Sequence, residues 1–543
     1  AGKRMDDALA LVVAAQDFAP DDAGAWLLAG QLQAATGKRA EAVVSLDKAQ
    51  ELRKDALAAE LRRLCAEAPA DADLQIADVL VRMGVGSFAG GLKLAAEQQA
   101  ELVRRQLQVA WPKMPARCLR VGADGTLALS LRRYDLVVDG VEPLRGMPLA
   151  ALDIGLQDKI RDLTPLATLP LTQLVLTGVG ASDFSPILGL RLKSLAIADT
   201  GFSSIAALRG MPLESLSMSI PGIVSLSPLA NMPIKELRLQ ACDALKDIGA
   251  LGLKAIEKLS LEASAQGAAA LTDLGPLRGR PISELSLARQ RGIADLSPLK
   301  GLPLMSLDVS GTAVRDLSPV LGPALRQLNL VDSAVDDLRQ LAGSRLESLA
   351  VSPQRIRQGL PELTRIASLR SVNGMATEDF LRWVELQRAI VAANPSYPWN
   401  ATAVYDDGKP VELRFSGGIK SLAPLKGLPL RILVVQSSPV ADLSPLEGMP
   451  LTALDISGTE VAKIAVLATT PSLTRLYMGR LRIADVRPLA KLSLEEIAFS
   501  PGAVQQGMEL LRGMSSLKQA GTSPFKMMPI GQFWSGIDRG DIK

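Results

Sequence analysis

A six-residue pattern of apolar positions, L-x-x-L-x-L or a close variant, recurs through this chain at an almost constant interval. That interval restricts the fold more than any other feature. The first apolar position of each copy falls at Leu149, Leu171, Leu192, Leu213, Ile234, Ile256, Ile282, Leu304, Leu325 and Leu346. The spacings are 22, 21, 21, 21, 22, 26, 22, 21 and 21 residues. A second set begins at Leu430, Leu451, Leu473 and Leu494, with spacings of 21, 22 and 21. Self-similarity at a fixed period of roughly 20 to 50 residues is the signature of a solenoid. Each repeat is then one coil that cannot bury its own apolar face and must stack on its neighbours.

The stretch from Asp295 to Thr312, DLSPLKGLPLMSLDVSGT, shows how one coil is built. Leu304-x-x-Leu307-x-Val309 places apolar residues where a short strand turns them inward. Ser297-Pro298-Leu299-Lys300-Gly301 predicts a single tight helical turn, with serine at the N-cap, proline at the first helical position and glycine ending the turn. The aspartate two residues before the turn, as at Asp162, Asp183, Asp295 and Asp316, recurs once per coil. These carboxylates are spread along the solenoid and do not converge on a pocket, so they predict turn capping and not acid–base chemistry.

Composition narrows the function. The 543 residues exceed what one compact core accommodates, and the aromatic content is only 3%, which suits many small packing layers. With 60 basic and 57 acidic residues, the net charge of +3 lacks the footprint of a dedicated nucleic-acid binder. No histidine is present, which removes the commonest general base, Ser-His and Cys-His pairs and most zinc sites. Three widely separated cysteines, Cys65, Cys118 and Cys242, form neither a disulfide framework nor a metal pattern. No apolar run approaches the roughly 18 to 20 residues that cross a bilayer. No cofactor, no metal and no membrane insertion are expected.

Residues 23 to 56 read as two antiparallel helices, with Trp26, Ala29 and Gly30 on the first, Gly37 at the turn, and Ala42, Leu46 and Ala49 on the second. This pattern resembles the tetratricopeptide repeat. Ala8, Ala15 and Pro20 fit the second helix of a preceding repeat, so more protein is expected upstream. A break at Pro69 and a last helix in LAAEQQAELVRRQL follow. The segment serves either as a peptide-binding groove or as a spacer and cap for the solenoid. Gly84-Val-Gly86-Ser-Phe-Ala-Gly90 has the outline of a kinase glycine-rich loop. The VAIK-like, HRD and DFG contexts are missing, which favours a plain connection between helices.

Each array carries flanking segments that predict caps over its open ends, where bare core and unpaired strand edges invite aggregation. DGTLALSLRR followed by DLVVDG opens the first, and ELRFSGGIKSLAPLKGLPL after Asp406-Asp407-Gly408 opens the second. ESLAVSPQRIRQGLPELTRIASLRSVNG and EEIAFSPGAVQQGMELLRGMSSLKQAG close them, followed by Phe380-Leu-Arg-Trp383 and Phe533-Trp534 respectively. The join is a helix to about Ala393 and then Asn394-Pro395-Ser-Tyr397-Pro398-Trp399, whose prolines restrict a hinge. With their 21–22-residue period and SPLKGLPL-type coils, residues 117 to 543 resemble internalin-like leucine-rich repeats. In particular, they are similar to the regions attached to large bacterial serine/threonine protein kinases. That resemblance implies a sensor or interaction region and carries no kinase activity, since the catalytic domain is not in this sequence.

The expected fold is thus α-helical tetratricopeptide-like hairpins over 1–110, followed by an α/β leucine-rich-repeat solenoid. A first array covers 111–383, a helix and Pro-containing linker 384–399, and a second array 400–543. Short parallel strands would line the concave face, where the residues between core leucines are mostly Ser and Ala. One charged zone interrupts them: Glu236, Arg238 and Gln240 in one coil, Lys258 and Glu262 in the next, and Glu284 after that. These side chains either pair with one another or meet a partner. The second array offers Tyr477 beside Arg475, the residue types that anchor interfaces. The expansion at EASAQGAAALTD is either a recognition loop or variation in one coil. The expected activity is non-catalytic binding of a protein or peptide. The alternative is a regulatory or ligand-sensing region of a larger kinase.

Overall fold

The computed structural model describes residues 2–68, 72–83, 95–132, 136–219, 221–249, 255–267, 269–399 and 401–542. Pro69 and the glycine-rich stretch 84–90 lie outside them. The chain divides into two compact units, Ala1–Ala324 and Leu325–Lys543. The division falls inside the first repeat array, between the coils that start at Leu304 and Leu325.

Among the described residues unit 1 begins with six helices: α1 (Gly2–Phe18), α2 (Ala23–Ala35), α3 (Arg39–Leu52), α4 (Ala56–Glu67), α5 (Ala72–Arg82) and α6 (Ala96–Ala110). Local chemistry sets their starts. Asp22 accepts from the Gly24 N–H at 2.8 Å, and Asp55 accepts from Leu57 and Ala58 at 2.9 and 3.0 Å. Between α2 and α3 the chain turns at Gly37, whose φ of 77° is left-handed. Gly30 fixes how closely these helices cross, because a Cβ there would lie 2.5 Å from Cγ of the fully buried Leu46.

The solenoid of unit 1 opens with an antiparallel hairpin, β1 (Leu119–Val121) and β2 (Leu127–Ser130). From β2 onward the strands are parallel: β3 (Leu149–Asp153), β4 (Gln173–Thr177), β5 (Ser194–Ala198), β6 (Ser215–Ser219), β7 (Glu236–Gln240), β8 (Lys258–Leu261), β9 (Glu284–Ser286) and β10 (Ser306–Asp308). The return side of most coils described is a short 3₁₀ turn, replaced in one coil by α7 (Ser185–Leu188).

In the coil at Asp295 the cap differs by one residue from the expected register. Leu296 is the N-cap, Ser297 and Pro298 are the first helical residues, and the capping group is the aspartate. Asp295 Oδ1 accepts from the Ser297 N–H and Oδ2 from its hydroxyl, both at 2.7 Å. The same carboxylate-to-N–H bond occurs at Asp183, Asp316 and Asp442. Proline second in the turn has no N–H to leave unpaired. Leu296, Leu299, Leu304, Leu307 and Val309 of this coil are at most 3% exposed. Five such side chains contribute roughly 1.5–3 kcal/mol apiece. That is less than the ordering cost of about 1–2 kcal/mol for every residue of the coil. A coil therefore holds its shape only when stacked.

Unit 2 carries β11 (Gln327–Asn329) and β12 (Ser348–Ala350), parallel to β13 (Ser371–Val372), which turns antiparallel into β14 (Met375–Ala376). Helix α8 (Thr377–Ala393) follows directly. The next sheet has eight strands in sequence order. A hairpin of β15 (Thr402–Asp406) and β16 (Lys409–Arg414) starts it. The parallel strands β17 (Ile432–Val434), β18 (Ala453–Asp455), β19 (Arg475–Tyr477), β20 (Glu496–Ala498) and β21 (Gln519–Gly521) continue it. After α9 (Met508–Arg512) and β21, the antiparallel β22 (Met527–Pro529) and α10 (Ile530–Asp538) close it.

Residues 394–399 are docked. Asn394, 3% exposed, accepts from the Lys420 and Ser421 N–H groups at 2.8 and 2.7 Å and donates to Ile390 and Ser421 carbonyls at 2.9 and 3.0 Å. Tyr397 packs edge-on to Phe415 with ring centroids 5.8 Å apart.

Candidate functional site

Strand register decides which side chains meet. In unit 1, Glu236, Lys258 and Glu284 are direct neighbours on β7, β8 and β9, and Arg238 lies beside Ser260 and Ser286 in the same order. These charges satisfy one another. Arg238 pairs with Glu236 at 2.7 Å, Lys258 with Glu284 at 2.6 Å and Glu262 with Arg289 at 3.5 Å. The Glu284 carboxylate raises the Lys258 pKa by hydrogen bonding and then by its charge. Ser260 donates to Glu262 at 2.9 Å. Gln240 is exposed at the end of β7. The zone forms a shallow depression of about 160 Å³ between β7 and β10, ringed by charges already in use.

The expanded coil is anchored more firmly than its Ala/Gly/Ser content suggests. Asp243 accepts from the Ser264 N–H at 2.8 Å and from its hydroxyl at 2.7 Å, and the Asp243 carbonyl accepts from Ala270 at 3.0 Å. Beneath it, Gln290 is fully buried and donates to the Leu261 carbonyl at 3.0 Å and to Cys242 Sγ at 3.6 Å. Burial pushes the Cys242 thiol up to about 12 and that of Cys65 to about 11, so both are packing groups.

The second array is different. Its strands stack in register to give two rows on the face between the core leucines. One row reads Glu412, Ile432, Ala453, Arg475, Glu496, and the other Arg414, Val434, Asp455, Tyr477, Ala498. The expected neighbours Arg475 and Tyr477 are therefore joined by an apolar floor of Ile432, Val434 and Ala453. Arg414 pairs with Glu412, and the Tyr477 hydroxyl donates to Glu496. Burial, then the hydrogen bond to Glu496, raises the Tyr477 phenol to about 12. Asp455 is 8% exposed, with Oδ1 accepting from the Ser457 N–H at 2.9 Å. Among the described residues Arg475 forms no ion pair, and its side chain is exposed.

Over this floor stands a residue that the sequence reading did not single out. Phe525, 90% exposed, sits with Pro524 in the loop between β21 and β22 and lines the same depression of about 330 Å³ as Ile432, Val434, Arg475 and Tyr477. The loop reaches this position because Gly479, just past β19, has no side chain. A Cβ there would lie 2.6 Å from the Thr522 carbonyl oxygen. Ile432 and Val434 were legible in principle, as bulky residues at positions where other coils carry Ser or Ala. Phe525 had no such signal.

In-register parallel strands, buried leucines and short return turns, mostly 3₁₀, decide the architecture. The chain is a leucine-rich-repeat solenoid preceded by a helical segment. No protein-family model matches it, and no curated protein does. Among solved structures it is similar to an internalin (inlF) from Listeria monocytogenes, 18% identical over 75% of this chain and 97% of that one, with a TM-score of 0.36. An internalin C2 from the same organism is 23% identical over 46% of this chain and 92% of that one, at 0.24. The leucine-rich-repeat protein LIC12759 from Leptospira interrogans is 15% identical over 69% and 92%, at 0.27.

Proposed function

We propose that this chain is a non-catalytic protein-interaction module that recognises its partner on the concave strands, chiefly those of the second array. One observation supports this most strongly. The depression under Phe525 combines an apolar floor, an exposed aromatic ring and an arginine without an ion pair, and aromatic and arginine anchors around a desolvated centre are what interface hot spots consist of. The first array's charges are spent on each other, so its 236–284 zone is a secondary contact at most. The carboxylates of the return side are occupied in capping turns, which leaves them no role as paired acids and bases. The domain plan that goes with this reading is a helical segment over 1–110 and two separately capped arrays over 111–383 and 400–543. Gly30 against Leu46 supports a tetratricopeptide-like packing of α2 on α3.

Photo-crosslinking in the source cell tests the reading. A photoreactive amino acid at Val434 or Phe525 is expected to trap a reproducible protein partner, one at Arg238 to trap it less, and one at Lys300 on the return side not at all. Crosslinks obtained equally from the return side, or from none of these positions, would overturn it.

A further inference from the structure

The second array's concave depression has a definite chemical polarity, and resting on the interaction reading above, it identifies the kind of partner. Positions in one row follow each other at the spacing of neighbouring strands, about 4.8 Å. Ile432 and Arg475 sit in the same row with Ala453 between them, two strands apart. The separation is thus roughly 10 Å, which an extended peptide covers in about three residues. Ile432 and Val434 supply an apolar seat, and Phe525 projects above it at 90% exposure. Arg475 supplies a guanidinium that no carboxylate of the described residues pairs with.

The other charges set the direction. Arg414 is held by Glu412, and Glu496, the in-register neighbour of Arg475, accepts from the neutral Tyr477 hydroxyl and keeps its negative charge, so an acid reaches Arg475 from the Ala453 side. Asp455 lies in the adjoining row between Val434 and Tyr477 and repels an acid placed over the middle of the floor. A carboxylate therefore has one favourable position, at Arg475, and an apolar side chain one, between Ile432, Val434 and Phe525. Gly479 leaves room for the loop that carries Phe525 to lie close beside β19.

We infer that the depression between β17, β19 and the β21–β22 loop binds an extended segment of a partner protein that carries an aliphatic or aromatic side chain about three residues from an aspartate or glutamate. The ion pair to Arg475 fixes register, and the apolar seat supplies most of the affinity.

The test is selection of random nonapeptides displayed on phage against the whole 543-residue chain, followed by fluorescence anisotropy with the most enriched peptide made synthetically. Enrichment of Leu, Ile or Phe spaced about three residues from Asp or Glu is expected. Affinity for that peptide is expected to fall at least tenfold in F525A and in R475E, and a peptide with lysine in place of its acid is expected to recover binding to R475E. Both substituted side chains are exposed, and unchanged circular dichroism and thermal midpoint verify that the variants fold. No enrichment, enrichment without acidic bias, or affinity in R475E or F525A equal to that of the native chain would overturn the inference. Crosslinking at Val434 does not depend on peptide charge, so a trapped partner alongside a failed selection would sink the acidic, apolar ligand and leave the interaction reading intact.

Discussion

The two solenoid arrays are closed by the same device, used to different effect. In the first, β13 turns into β14 through two residues, Asn373 and Gly374, both with left-handed backbone at φ 51° and 78°. The Asn373 side chain clamps the preceding coil by accepting from the Val351 N–H at 2.8 Å and donating to its carbonyl at 2.9 Å. In the second, β21 turns into β22 through Thr522–Lys526, and the longer loop carries Pro524 and Phe525 to the strand face that bears Ile432, Val434 and Tyr477. A two-residue turn can only finish a sheet, whereas a longer one also presents a side chain. The closing helices differ too. Helix α8 has 17 residues and α10 has 9, yet each buries one phenylalanine completely, Phe380 and Phe533.

The largest expected effect asks whether the two closures are energetically alike. Phe533→Ala and Phe380→Ala should each destabilise by about 3–5 kcal/mol, as cavities in a closed core do. Hydrogen exchange should show the first loss confined to the last coils of the second array and the second spreading to residues 394–425. Equal spread in both variants would remove the distinction.

Next in size is Asn394→Ala. It removes the four hydrogen bonds of a side chain that is 3% exposed, two from the Lys420 and Ser421 N–H groups and two to the Ile390 and Ser421 carbonyls, at about 0.5–1 kcal/mol each. Urea denaturation should show a loss of about 2–4 kcal/mol, and a change under 1 would mean that the 394–399 segment is not a structural part of the second array. Replacing Thr522–Lys526 by Asn-Gly, the first array's turn, isolates the functional difference. Stability should stay within about 1 kcal/mol, since none of the replaced residues is buried, while affinity for the selected peptide drops at least tenfold.

The smallest effect concerns pH. The Tyr477 phenol is raised to about 12 in the folded chain, so the folded state keeps its proton where the unfolded state, near 10, has lost it. Its contribution is therefore complete below pH 10 and is lost as pH rises towards 12. Comparing thermal midpoints at pH 9 and 11 should show a smaller drop in Y477F than in the native chain.

Much of the architecture was legible because it rests on what a sequence displays directly. Leucines such as Leu304 and Leu307 recur at fixed spacing because every coil contributes the same positions to one core. The closing segments of both arrays and the helix that ends near Ala393 could be found by comparing the array ends, whereas α10 was marked only by its aromatic pair, Phe533 and Trp534. The site was harder. Arg475 and Tyr477 stood out as residue types, but the 236–284 zone stood out equally, and only register showed that its charges neutralise each other. Phe525 is distant in sequence from Ile432 and Val434, and what brings them together is the missing Cβ of Gly479, which no local pattern announces. The cap of each return turn was misplaced by one residue because serine and aspartate both suit that role, and the geometry gives it to the aspartate.

Helix α8 has one further consequence. Its leading turns pack beside β13 and β14, while Trp383, Leu386, Ile390 and Val391 further along belong to the core that runs from Tyr397 to Phe533. Unfolding of a repeat protein is that of a one-dimensional chain whose links are nearest-neighbour interfaces, and a cap ordinarily breaks such a chain in two. Here the cap is itself a link. Within residues 325–543, melting that starts in the opening coils of the second array reaches the helix that finishes the first sheet, so no cut inside α8 yields two intact pieces.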